Sequence, residues 1–210
     1  MNDNNTWRLP EPAGAAIGLP TAEEIVVSVG EYLGTLPYSA PEEAFETVAT
    51  FMRAGSLIRL GPGTAEILAH CRVVRTGAEI VALLESERSV ATHADWMQLV
   101  EAGLVRSGSP ETVADWLDDC VVRPSGRSRG LKGEGLGIER GDGQVFAVSG
   151  VYYWFWLYAR TGQSIREVRR FLTQQAHVDA ASDADVAGTV LHMLLHGLGR
   201  LDLSADAPAT

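Results

Sequence analysis

Leu136-Gly137-Ile138-Glu139-Arg140-Gly141-Asp142-Gly143-Gln144-Val145-Phe146-Ala147-Val148-Ser149 decides the fold. Two short apolar runs flank Gly141-Asp142-Gly143, and Gly and Asp tolerate the turn geometry that joins antiparallel strands. A β-hairpin is expected here. Three helical patterns follow, at about 150–161, 164–175 and 183–196. Ser164 with Glu167 has capping-box spacing and Ser182 with Asp185 resembles it; such pairs satisfy orphan N–H groups at a helix start. Behind them Ile165, Val168, Phe171 and Leu172, then Val186, Val190, Leu191, Leu194 and Leu195, recur with the helical period.

Upstream lies Arg123-Pro124-Ser125-Gly126-Arg127-Ser128-Arg129-Gly130-Leu131-Lys132-Gly133. Basic residues, a proline and repeated glycines read as a solvated hinge between domains. Earlier still, three segments share one ending. Val48–Ala54 runs to Gly55, Trp96–Ala102 to Gly103 and Val190–His196 to Gly197, each followed by a short apolar-basic step. A glycine in the left-handed cap followed by an extended run is how the third helix of a winged-helix fold passes into its wing. Thr21 with Glu24, and Ser39 with Pro41 and Glu42, read as further helix starts. Ser109-Pro110-Glu111 introduces another, carrying Val113, Trp116 and Leu117.

The expected class is α+β, mostly helical, built from tandem winged-helix-like units, the C-terminal one a β-hairpin followed by three helices. The expected division is an N-terminal arm over 1–20, a helical winged-helix-like region over 21–122, a linker over 123–133, a second domain over 134–204 and a tail over 205–210.

The chain has 210 residues, 46% apolar and 21% charged, enough for a packed core and against general disorder. Its net charge of −10 repels phosphate backbones and argues against nucleic acid as a partner. Cys71 and Cys120 lack the spacing of a zinc or redox pair. No apolar run is long enough to span a bilayer. The first residues lack the basic start and apolar core of a signal peptide, so a cytoplasmic protein with no membrane partner is expected.

Gly162-Gln163-Ser164-Ile165-Arg166-Glu167-Val168, His177-Val178-Asp179 and Leu194-Leu195-His196-Gly197-Leu198, set behind the hairpin, resemble the PqqD-like family. Those are the peptide-recognition elements of ribosomal peptide natural-product biosynthesis. The likeness covers about a third of the chain. Tyr152-Tyr153-Trp154-Phe155-Trp156 is more aromatic than that pattern requires, and the long N-terminal region is foreign to its small members. The resemblance implies non-covalent capture of a precursor's leader peptide as an added strand, beside a helix, for delivery to a separate modifying enzyme. The positions it assigns to peptide binding are Val145, Phe146, Ala147 and Val148 on the strand, with Val186, Val190 and Met193 on the helix. Tyr152, Trp154 and Trp156 are expected at an interface, either with the N-terminal half or in a homodimer.

His192 and His196 stand one helical turn apart, a spacing that suits two metal ligands, with His177 or Asp202 as a third. Met193-Leu194-Leu195 between them leaves no H-E-x-x-H, so the expectation is no metal, and the pair is read as bordering an interface or capping the helix. Nucleophile elbows and Walker loops are absent, and neither a catalytic residue nor a cofactor is expected. Three other readings stand beside this one. A winged-helix DNA-binding regulator would use Arg166, Arg169 and Arg170. A tandem winged-helix assembly subunit would touch no DNA. An enzyme would hide its site between the halves.

Overall fold

A computed structural model describes residues 6–9, 18–38, 46–132, 135–174 and 182–203. The chain is a mixed α+β protein of two compact units, Met1–Gly108 and Ser109–Thr210. No helix among the described residues is long and apolar enough to cross a membrane.

Unit 1 contains β1 (Thr6–Arg8), β2 (Ile25–Ser28), β3 (Glu31–Tyr38), β4 (Glu46–Arg53) and β5 (Ser56–Leu60). There follow α1 (Pro62–His70), β6 (Arg75–Thr76), α2 (Gly77–Leu84), α3 (His93–Glu101) and β7 (Val105–Gly108). One sheet has the order β1-β5-β4-β3, a second the order β6-β2-β7. Their core is Val26, Phe51, Ile67, Leu68, Ile80, Trp96, Leu99 and Leu104.

Unit 2 opens with a 3-10 turn (Pro110–Thr112) and α4 (Val113–Trp116), then β8 (Cys120–Pro124), β9 (Arg127–Lys132), β10 (Gly135–Glu139) and β11 (Val145–Val148). It ends with α5 (Gly150–Ala159), α6 (Ile165–Gln174), α7 (Asp183–Leu195) and β12 (Gly199–Leu203). Its sheets are β11-β10-β9 and β12-β8.

The two units repeat one plan. A first strand, three antiparallel strands, three helices and a last strand follow in order, and the last pairs antiparallel with the first. The register is the same in both. Ile25 faces Gly108 as Val121 faces Asp202, and Ser28 faces Val105 as Pro124 faces Gly199. Phe51 pairs Ile58 as Ile138 pairs Phe146, with Phe51 and Ile138 both fully buried. From there the matched positions run at constant spacing: Leu60 and Val148, Ile67 and Phe155, Cys71 and Ala159, Ile80 and Val168 are all buried. The capping boxes coincide as well, Thr76 with Glu79 against Ser164 with Glu167, and Thr92 with Asp95 against Ser182 with Asp185. The third helix ends identically. Leu104 N–H donates to the Leu99 carbonyl past Gly103, and Leu198 N–H to the Met193 carbonyl past Gly197, each glycine at φ 64°.

Several expectations need correction. Residues 46–53 are a strand, not a helix. Ala54 and Gly55, at φ 47° and 80°, form a two-residue hairpin turn, and the β-branched and aromatic residues of β4 suit a pleated strand. Thr21 and Glu24 bond to each other as expected, but their turn leads into β2. The Ser39, Pro41 and Glu42 start lies outside the described residues, as do His177, Val178, Asp179 and the tail. The proposed linker over 123–133 instead contributes to β8 and β9, and the units divide between Gly108 and Ser109. Residues 127–132 stay on a strand because they pair antiparallel along β10, and Arg127 and Arg129 add ion pairs to Glu139 of that strand. Of the expected arm over 1–20, residues 6–8 are a strand docked parallel on β5. The hairpin and the three helices of unit 2 fall where expected.

Candidate functional site

β11 is the outer strand of its sheet, and no described strand pairs with its second side. Arg140 N–H donates to the Gln144 carbonyl, which makes that the hydrogen-bonded pair at the turn. Antiparallel ladders alternate, so Phe146 bonds toward Ile138, while the N–H and C=O groups of Val145 and Ala147 point outward. Unpaired outward groups on an edge strand are a template for a further strand.

Side chains alternate in step. Phe146 and Val148 turn toward the helices, and Val148 is buried. The Phe146 ring lies 6.4 Å from that of His192 and 5.4 Å from that of His196. His192 in turn meets Tyr152 of α5 edge-on, ring centres 5.3 Å apart. The turn end is fastened by Arg140, which donates to the His196 carbonyl (2.8 Å), pairs with Asp142 and lies over the Phe146 ring. That pairing holds the Asp142 carboxyl down to about 2. The result is an exposed main-chain edge beside a wall of Phe146, Tyr152, His192 and His196.

Burial lowers the pKa of His192, and neighbouring His196 adds repulsion. Burial pushes the Tyr152 phenol the other way, so it keeps its proton. The wall is therefore neutral at His192 and Tyr152 at neutral pH. Among the described residues no three His, Cys, Asp or Glu side chains are grouped to hold a metal ion. Cys71 and Cys120 are both buried and form no disulfide, and burial pushes the Cys71 thiol up to about 12, which leaves it an unreactive thiol.

Val145, Phe146 and Ala147 thus border the open edge. Val186, Val190 and Met193 do not: all are fully buried and form the inner stripe of α7. Their place beside β11 is taken by His192 and His196, the pair read in sequence as bordering an interface or capping the helix. The aromatic run divides by face. Tyr152 and Trp156 are buried, Tyr152 against His192 and Trp156 with its indole N–H on the Ser125 carbonyl at 2.9 Å. Trp154 is 38% exposed and stacks on Tyr158, which packs on Phe171. Of the three, only Trp154 remains available to a partner. Two of the three arginines of α6 are ion-paired: Arg166 bonds Asp118 at 2.6 Å and Arg169 bonds Asp115 at 2.8 Å, while Arg170 is exposed.

No family model matches the chain, and neither does any curated protein or solved structure.

Proposed function

We propose that this chain is a non-catalytic peptide-binding protein. Unit 2 takes an extended segment along β11, and the segment belongs to the leader of a ribosomally made precursor that a separate enzyme then modifies. Both units are read as winged-helix-like, unit 2 as PqqD-like, acting in the cytoplasm. The observation that carries the reading is the outward main-chain edge at Val145 and Ala147, flanked by apolar and aromatic side chains. Such an edge gives affinity through backbone bonds, while the wall selects side chains. A DNA-binding role is weakened by the pairing of Arg166 and Arg169 with aspartates, which leaves Arg170 as the exposed cation of α6 outside those pairs.

Isothermal titration with leader peptides encoded beside the gene tests this. Saturable binding to the wild-type chain, lost in Ala147→Pro, is the expected result. Absence of binding to every such leader overturns it.

A further inference from the structure

Unit 1 possesses the edge that unit 2 leaves open, and its own chain occupies it. β5 corresponds to β11. The tight turn at Ala54 and Gly55 makes Arg53 and Ser56 a hydrogen-bonded pair, so alternation points the main-chain groups of Leu57 and Arg59 outward. They match Val145 and Ala147. Against them lies β1 in parallel register, Thr6 with Leu57, Trp7 with Ile58 and Arg8 with Arg59. In a parallel ladder this register sets the N–H and C=O of Trp7 between Leu57 and Arg59. Leu9 then packs on the unit's core, and its carbonyl faces the Gln98 amide of α3 at 3.5 Å. Counted back from the matched helix ends at Gly103 and Gly197, Gln98 stands where His192 stands in unit 2. Further along, the Trp96 indole N–H reaches the Gly18 carbonyl at 3.4 Å. Residues 6–8 form the strand, Leu9 supplies the apolar anchor, and Leu9 and Gly18 each meet the third helix. That is the path of a peptide in a β-strand-addition groove.

We propose that the β5 and α3 edge of unit 1 is a second peptide-binding site, held shut by residues 6–9 acting as an intramolecular ligand. Once that strand lifts, the site accepts an extended peptide running parallel to β5. The proposal stands on unit 1 alone and does not require unit 2 to bind anything.

Amide hydrogen exchange on the full chain tests it, with the synthetic peptide of residues 1–18 as probe. Trp7→Pro/Leu9→Asp removes the ladder donor and the apolar anchor together. The Arg59 amide, which this register aims at the Trp7 carbonyl, should then exchange faster by roughly tenfold or more, while Phe51 keeps its protection. Excess peptide should restore protection over 56–60. Three outcomes overturn the proposal: unchanged exchange at Arg59 in the variant, an exposed amide that the peptide fails to protect, or protection that returns only over 145–148. The last would still support peptide binding by unit 2. If the variant loses protection at Phe51 as well, the unmodified chain decides. Arg59 exchanging by local opening, ahead of Phe51, sustains the proposal; exchange only together with Phe51 makes residues 6–9 an integral strand and ends it.

Discussion

The Tyr152 hydroxyl lies 3.3 Å from Nδ1 of His192, which ties the side wall of the open edge to a titrating group. The His192 pKa in the folded chain falls below the ordinary 6.5, first through burial and then through His196. As pH drops, the unfolded chain takes up this proton before the folded one does. The stabilisation is therefore complete above 6.5 and declines as pH falls through that value toward the folded pKa. His192→Gln keeps a hydrogen-bonding side chain and does not titrate. Urea unfolding at pH values on either side of 6.5 should show a smaller acid loss in the variant. His70, also lowered mainly by burial, acts in the same direction in unit 1, so the difference between the two proteins is the informative quantity. Equal losses would remove His192 from the account.

Proline should separate edge from ladder on β11. The Ala147 N–H points outward, so Ala147→Pro should leave unit 2 folded yet weaken peptide binding about tenfold or more. The Phe146 N–H bonds Ile138, so Phe146→Pro should destabilise the unit itself. Circular dichroism and titration on both variants check the contrast. Equal damage from both would contradict the assigned ladder phase.

Gly126 opens the run into β9 at φ 85°, and a Cβ there would sit 2.4 Å from the Glu139 carbonyl oxygen. That oxygen is backbone and cannot swing aside. Gly126→Ala should cost about 1–3 kcal/mol in unit 2, because it adds left-handed strain to a close approach. Gly141, with open space around it, should accept alanine with little change. Denaturant melts of the two variants measure the difference.

Phe155 and Trp154 are neighbours with opposite roles. Phe155 is fully buried, and Phe155→Ala should cost about 3–5 kcal/mol. Trp154 lies on the exposed face with Leu157, and Trp154→Ala should shift stability by less than about 1 kcal/mol. If Trp154 serves a partner, its loss will register in a pull-down with the modifying enzyme and not in the melt.

Local signals match the structure in unit 2 and mislead in unit 1, where the apolar run ending at Gly55 is a hairpin strand and the turn of Thr21 and Glu24 leads into a strand. The hairpin over 136–149 and helices 150–159, 165–174 and 183–195 announce themselves through turn glycines, caps and the apolar period. By contrast Val26 is in a strand because it pairs with Ser107, some eighty positions away, and no short window contains that information. Residues 123–132 look like a hinge by composition, yet 127–132 pair antiparallel along β10, and Glu139 adds ion pairs to two of their arginines. The duplicated plan was partly visible in the recurring helix-to-glycine endings. Thr76 with Glu79 and Thr92 with Asp95, set against Ser164 with Glu167 and Ser182 with Asp185, would have exposed it fully. Val186, Val190 and Met193 are given to the groove by the resemblance alone; their full burial puts them in the core, and ring contacts with Phe146 put His192 and His196 beside the edge instead.

Each unit brings its opening and closing strands side by side, Ile25 next to Gly108 and Cys120 next to Leu203. From β2 to β7, and again from β8 to β12, the polypeptide therefore ends beside the point where that stretch began. A module with adjoining doorways can be spliced into a surface loop of another protein, or concatenated, without rerouting its host's backbone.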